Sequence, residues 1–193
     1  TFSKDNAKQM ITAFFRTLSP SILGIGGIEA YYNAGPAAYC EIAGYYIGIF
    51  LFLMIPQTFC IVKKREKIVY AVGSLASICI ICLPGVRLFV NGFANDYFKL
   101  TRLFVTIILF LIATKGLDLI LENKEQLRVR LFIVTDTVVV AILMVFRLTK
   151  YRGKIYDHDL IIVLIFCIVY AIYAILYKKK DGAKYRYILC ILC

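Results

Sequence analysis

Only one histidine stands among these 193 residues, and its setting gives it little to do. His158 lies in Tyr156-Asp157-His158-Asp159. Neighbours in sequence converge poorly on one metal, so this segment reads as an exposed loop and no metal site is expected. The sequence has no Ser-His-Asp constellation, no H-E-x-x-H, no glycine-rich phosphate loop and no Walker pattern. Those absences remove the commonest hydrolase, zinc-protease and nucleotide-binding readings. Long polar stretches are lacking as well. A formal net charge of +11 would suggest nucleic acid in a water-soluble chain, but no stretch here is long enough to build a basic face, so no nucleic-acid partner is expected. The start, Thr1-Phe2-Ser3-Lys4-Asp5, has no initiator methionine, basic n-region or apolar h-region, and is not a signal peptide. The finish, Tyr187 to Cys193, stops inside an apolar run, so both ends read as cut.

What the sequence has is apolar length. It is 61% hydrophobic with a mean hydropathy of +0.79, against about 45–50% apolar residues in soluble domains. A spanning helix needs about 20 mostly apolar residues. The runs near 42–62, 68–86, 100–121, 131–148 and 160–177 meet or approach that length, and a partial sixth covers 185–193. The expected fold class is therefore an all-α integral membrane protein, a polytopic helical bundle. The β-branched run 131–148 should still be helical, because an isolated strand would leave backbone groups unpaired in hydrocarbon. Spans of this length joined by short loops exclude an outer-membrane barrel. Most of the seven cysteines fall inside the apolar runs, and Cys79-x-x-Cys82 has no second pair, so they read as small packing residues.

The loops give an orientation. Lys63-Lys64-Arg65-Glu66-Lys67 joins the first two spans, Lys124, Arg128 and Arg130 join the third and fourth, and Lys178-Lys179-Lys180 follows the fifth. By the positive-inside rule these alternate loops are cytoplasmic. Residues 1–40 are then extracytoplasmic, together with the loops around Asn91-Gly92-Phe93 and Asp157-His158-Asp159. In that N-terminal segment Met10 to Phe15 and Ile22 to Tyr32 are apolar but too short to span, which suggests short helices resting on the outer interface. A re-entrant segment is the alternative. Asn33-Ala34-Gly35-Pro36 reads as a turn into the first span.

Charges within or beside spans are the first candidates for function. Lys99 and Arg102 are three residues apart and share a helical face at the outer end of the third span. With Arg87, just after Pro84-Gly85, they are candidates for an outer phosphate site, since an arginine fork matches phosphate oxygens. The plainer reading is that all three snorkel to lipid headgroups. Asp136 lies inside the fourth span, and Lys115 and Asp118 lie near the cytoplasmic end of the third, so the three are candidates for a structural ion pair. Glu29 and Glu41 are lone acids, the first a weak general-base candidate and the second a solvated residue at the mouth of the first span. No catalytic residue emerges from these patterns.

The order of features from Tyr39 to Asp118 resembles a known family. Tyr39-Cys40 and Gly44-Tyr45-Tyr46-Ile47-Gly48 open a span, the basic hairpin 63–67 follows, and the next span ends in Leu83-Pro84. Asn91-Gly92-Phe93 then precedes Tyr97-Phe98-Lys99-Leu100-Thr101-Arg102-Leu103-Phe104. This is similar to the C-terminal half of the YfhO-type bacterial membrane proteins, which resemble glycosyltransferases of the GT-C class. The chain departs from the family in having Thr101-Arg102 where Tyr-Arg is usual, and Ala94-Asn95-Asp96 where an aromatic, proline-rich approach is usual. The resemblance implies sugar transfer from a polyprenyl-phosphate carrier to a cell-envelope polymer, such as a teichoic acid, on the outer face of a bacterial plasma membrane. It further implies that the catalytic acid lies upstream of Thr1, that a divalent metal is a candidate cofactor, and that Arg102, Lys99 and Arg87 hold the carrier phosphate. The alternatives are a transporter or flippase for a lipid-linked precursor, or a non-catalytic membrane assembly subunit.

Overall fold

A computed structural model describes residues 11, 14–15, 17–19, 22, 46–93, 98–148 and 157–179. Among them the chain is an all-α bundle. Helix α1 is Ile49–Ile61, α2 Lys64–Cys82, α3 Pro84–Val90, α4 Phe98–Glu122, α5 Val129–Leu148 and α6 Asp157–Lys179, with a 3-10 turn at Lys124–Gln126 between α4 and α5. Three helical stretches, Leu103–Glu122, Val129–Leu148 and Asp157–Lys179, are long and apolar enough to cross a membrane. The partial sixth run at 185–193 lies outside the described residues.

Helix α1 is the axis. It is apolar on every side, and a helix of that kind is one that others surround. Phe50, Leu53, Met54, Gln57 and Thr58 are all buried, with α4, α5 and α6 packed around them. The helix is shorter than the run 42–62 suggested. Tyr46, Ile47 and Gly48 are not helical, and Gly48 takes φ 89°, a left-handed conformation that glycine adopts freely and that stops the helix from extending backwards. The 13 residues that remain make a rod of about 20 Å, short of the roughly 30 Å of hydrocarbon.

The tightest packing is between α1 and α4. A Cβ added to Gly116 on α4 would stand 3.0 Å from Thr58 Cβ and 3.2 Å from Thr58 Cα, and would run into the Thr58 hydroxyl. The absence of a side chain at 116 thus lets the two backbones meet. Thr58 uses that proximity: its hydroxyl reaches the Ile112 carbonyl across the interface at 2.9 Å and the Met54 carbonyl of its own helix at 3.1 Å. Small residues at close crossings are the usual device for holding helices together where no water drives them.

Helices α5 and α6 complete the bundle. The buried face of α6, Leu160, Val163, Cys167, Tyr170, Ala174 and Tyr177, follows a three-and-four spacing, which places those side chains on one stripe. Between them Ile161, Ile165, Ile168 and Ile172 are exposed, as side chains facing lipid would be. The N-terminal segment, expected to rest on an interface, is sunk deeper than that at its described positions. Phe15, Leu18 and Ile22 are fully buried, Phe15 meets Phe146 of α5 edge-on at 5.0 Å, and Phe14 meets Phe52 of α1 at 6.1 Å.

Among the described residues helix α2 packs mainly on α4 and α3, in a second cluster built on Ile80 and Val105. The expected basic loop 63–67 is mostly helix. The corner is Val62–Lys63, and Lys64 to Lys67 form the first turn of α2, because lysine, arginine and glutamate are good helix formers. The second run also ends earlier than 86: Leu83 is extended, and Pro84 begins α3 at its first turn, the one helical position where a missing N–H costs nothing.

Substituting Gly116→Ala should force α1 and α4 apart and destabilise the bundle by about 1–3 kcal/mol, as overpacking usually does. The thermal midpoint of the detergent-solubilised chain, read by size-exclusion after heating, should fall. Adding Thr58→Ala should recover only part of the loss, because the Cβ and Cα of residue 58 remain in the way. An unchanged midpoint would mean that the helices do not meet at this glycine.

Candidate functional site

The two ends of the bundle are built differently. At the end carrying the 3-10 turn, three side chains reach across to backbone groups of neighbouring segments. Gln57, fully buried, donates from Nε2 to the Arg128 carbonyl at 2.9 Å, and its Oε1 accepts from the Arg128 N–H at 3.2 Å. One side-chain amide thus satisfies both polar groups of a peptide that would otherwise be orphaned beside α5. Lys178 Nζ donates to Glu125 Oε2 at 2.7 Å and to the Glu125 carbonyl at 2.9 Å, while the Tyr177 hydroxyl donates to the Ile120 carbonyl at 3.3 Å. These contacts bring 124–130 together with 178–179, and α1 runs from Gln57, bonded to Arg128, into the corner before 63–67.

The opposite end carries the break between α2 and α3 and the turn that follows α3. After Pro84, α3 runs for 7 residues and closes in a turn where Phe93 N–H donates to the Leu88 carbonyl at 2.8 Å and Gly92 N–H to the Phe89 carbonyl at 3.0 Å. Gly92 and Phe93 both have left-handed backbones, φ 64° and φ 60°. For glycine this is free; for phenylalanine it costs about 1 kcal/mol or more. Phe93 is 68% exposed and Phe89 66%, and their rings meet edge-on at 5.7 Å. A strained aromatic pair thus projects from this end, on the turn that leads towards α4.

Of the three cationic candidates at this end, Arg87 is buried to 1% exposure. Its Nη1 donates to the Ile81 carbonyl at 2.8 Å and the Ile80 carbonyl at 3.2 Å, two carbonyls left free by the last turn of α2. Its first role is therefore to cap α2 across the Leu83–Pro84 break. Lys99 and Arg102 fall in the opening turns of α4, with their side chains outside the described residues, so the three are not brought together on any described contact. Phe89 and Phe93 are not legible as partners from sequence; the signal there is Asn91-Gly92, a turn that lets the chain return.

The expected ion pair forms only in part. Lys115 pairs with Asp118 at 3.4 Å along α4, with Asp118 exposed. Asp136 does not join them. It points into the core from α5 at 7% exposure, beside Cys167 of α6, and Oδ1 has no partner among the described residues. Depth in the membrane, which the sequence gives, is not azimuth around the helix: Asp136 shares a stripe with Phe132, Val139 and Leu143, all turned inward. His158 with Asp157 and Asp159 is not a loop but the first turn of α6, where acids complement the positive end of the helix, and Asp157 pairs with Arg147 of α5. Among the described residues no three His, Cys, Asp or Glu side chains gather closely enough to hold a metal. A cavity of about 10 Å³ between Phe50, Met54, Leu117 and Tyr173 has room for one water at most, and its walls are apolar. It is far below the roughly 300 Å³ of a small-molecule pocket. Glu29 and Glu41 lie outside the described residues.

A lone carboxyl oxygen in an apolar core costs about 1–3 kcal/mol. Asp136→Leu should therefore raise the thermal midpoint of the solubilised chain. A lower midpoint would show that the carboxyl with Cys167 holds α5 to α6 instead of straining them. No family model, no curated protein and no solved structure matches the chain.

Proposed function

We propose that the chain is part of a membrane protein that handles a lipid-linked phosphate at the Pro84 end of α2, α3 and α4. The form this best fits is a glycosyltransferase moving a sugar from a polyprenyl-phosphate carrier to a cell-envelope polymer of the teichoic-acid kind. The observation that supports it is the α3 platform. Exposed Phe89 and strained Phe93 stand just before the turns of α4 that carry Lys99 and Arg102. A carrier of this kind keeps its isoprenoid tail in the bilayer and its phosphate at the interface, where aromatic rings and cations are at home. Transfer of the sugar leaves negative charge on that phosphate, and preorganised cations aimed at it lower the barrier. On this reading the chain crosses a bacterial plasma membrane several times, with the basic turns inside and α3 outside. The catalytic acid is supplied from elsewhere in the protein.

A flippase for the same precursor would want outer cations too, but interrupted helices of such transporters lie near the bilayer midplane. The break here, at Leu83–Pro84, stands at the end of a 19-residue helix, which favours transfer over transport. The test is Arg102→Ala in the full-length protein, assayed in membranes for transfer of labelled sugar from a polyprenyl-phosphate donor. Transfer should be abolished with membrane abundance unchanged. Full activity would remove Arg102 from the site and this reading with it.

A further inference from the structure

The end of the bundle that sugar transfer does not use carries an unexplained surface. In the first turn of α2, Lys64, Arg65 and Lys67 are exposed, and none makes an ion pair or side-chain hydrogen bond with the described residues. Cations at this position oppose the positive end of their own helix, where acids would be favoured; Glu66 is the one acid in that turn. Directly above them on the same face run Ile68, Val72 and Leu75, at 58%, 61% and 61% exposure. The spacing 64, 68, 72, 75 is one helical stripe. It begins in three charges that are unpaired among the described residues and continues as bare hydrocarbon, on a helix that packs mainly on α4 and α3.

We propose that this stripe holds an anionic phospholipid, its phosphate on Lys64, Arg65 and Lys67 and an acyl chain along Ile68, Val72 and Leu75. The dimensions fit. From Ile68 to Ile78 is about 15 Å of helix, the depth of one leaflet of a bilayer whose core is about 30 Å thick. Charge selects the occupant. A second copy of the chain laid on the same stripe would bring like cations against each other, whereas an anionic headgroup neutralises them where the helix dipole adds to the attraction. The proposal rests on the chain lying in a membrane and is independent of sugar transfer.

The purified chain, re-lipidated with equal phosphatidylglycerol and phosphatidylcholine and examined by native mass spectrometry, should retain phosphatidylglycerol selectively. The triple variant Lys64→Gln, Arg65→Gln, Lys67→Gln should lose that retention by roughly fivefold for each charge removed. A control triple at the same end, Arg128→Gln, Arg130→Gln, Lys179→Gln, should keep it. Lys64→Arg with Lys67→Arg should also keep it, which separates charge from folding, and helix content by circular dichroism should match throughout. Glycerol phosphate alone should not displace the lipid. Undiminished retention in the first triple, equal loss in both triples, or displacement by glycerol phosphate would each overturn the proposal.

Discussion

Everything in this bundle is arranged around the contact of Thr58 with Gly116. Hydrocarbon gives helices no hydrophobic reason to associate, so association depends on close packing and on polar groups that prefer each other to lipid. Gly116 supplies the first by leaving α4 bare where α1 crosses it, and Thr58 supplies the second by placing its hydroxyl on the Ile112 carbonyl. Among the described residues α2 also packs mainly on α4, and Leu109 of α4 lies against both hydrophobic clusters, so the same helix joins them. One residue without a side chain thereby sets how near the axis of the bundle comes to the helix that bridges its two halves.

Several of the long-range polar contacts outside that crossing share one use: they close a backbone group that a helix end or turn would leave open. Gln57 does so for Arg128, Lys178 and Tyr177 for the carbonyls at Glu125 and Ile120, and Arg87 for Ile80 and Ile81. In each case a long side chain reaches a carbonyl or amide on another segment. That pattern also explains why Arg87, a candidate for phosphate binding by sequence, is engaged: the break at Pro84 exposes the last carbonyls of α2, and the nearest arginine covers them.

Hydropathy carried the long helices. Leu131 to Leu148 and Leu160 to Tyr177 are legible to within three residues at each end, because twenty apolar residues bounded by charge leave few choices. Boundaries set by local backbone chemistry were less legible. Gly48 sits in an apolar run whose hydropathy does not change across it, yet its positive φ ends α1. Lys64 to Lys67 looked like a loop because charge was read as a flank, although these residues favour helix. Asp136, a candidate partner of Lys115 by sequence, turns into the core instead. Pairing depends on which way a helix is turned, and Lys115 lies beside Asp118 on its own α4 instead.

The contrast between the two ends bears on where chemistry can occur. At the end of the 3-10 turn, buried amide and lysine contacts fix each segment to its neighbour, and a site there would have to break them. At the other end the last turn of α3 stores strain in Phe93 and presents its ring outward with Phe89. A left-handed non-glycine residue costs stability unless something compensates, and such costs gather where a ligand is met. Asp136 is a second cost of the same kind, inside the core, with one oxygen unmatched among the described residues. A sequence selected for packing alone would favour an apolar residue at 136 and glycine at 93.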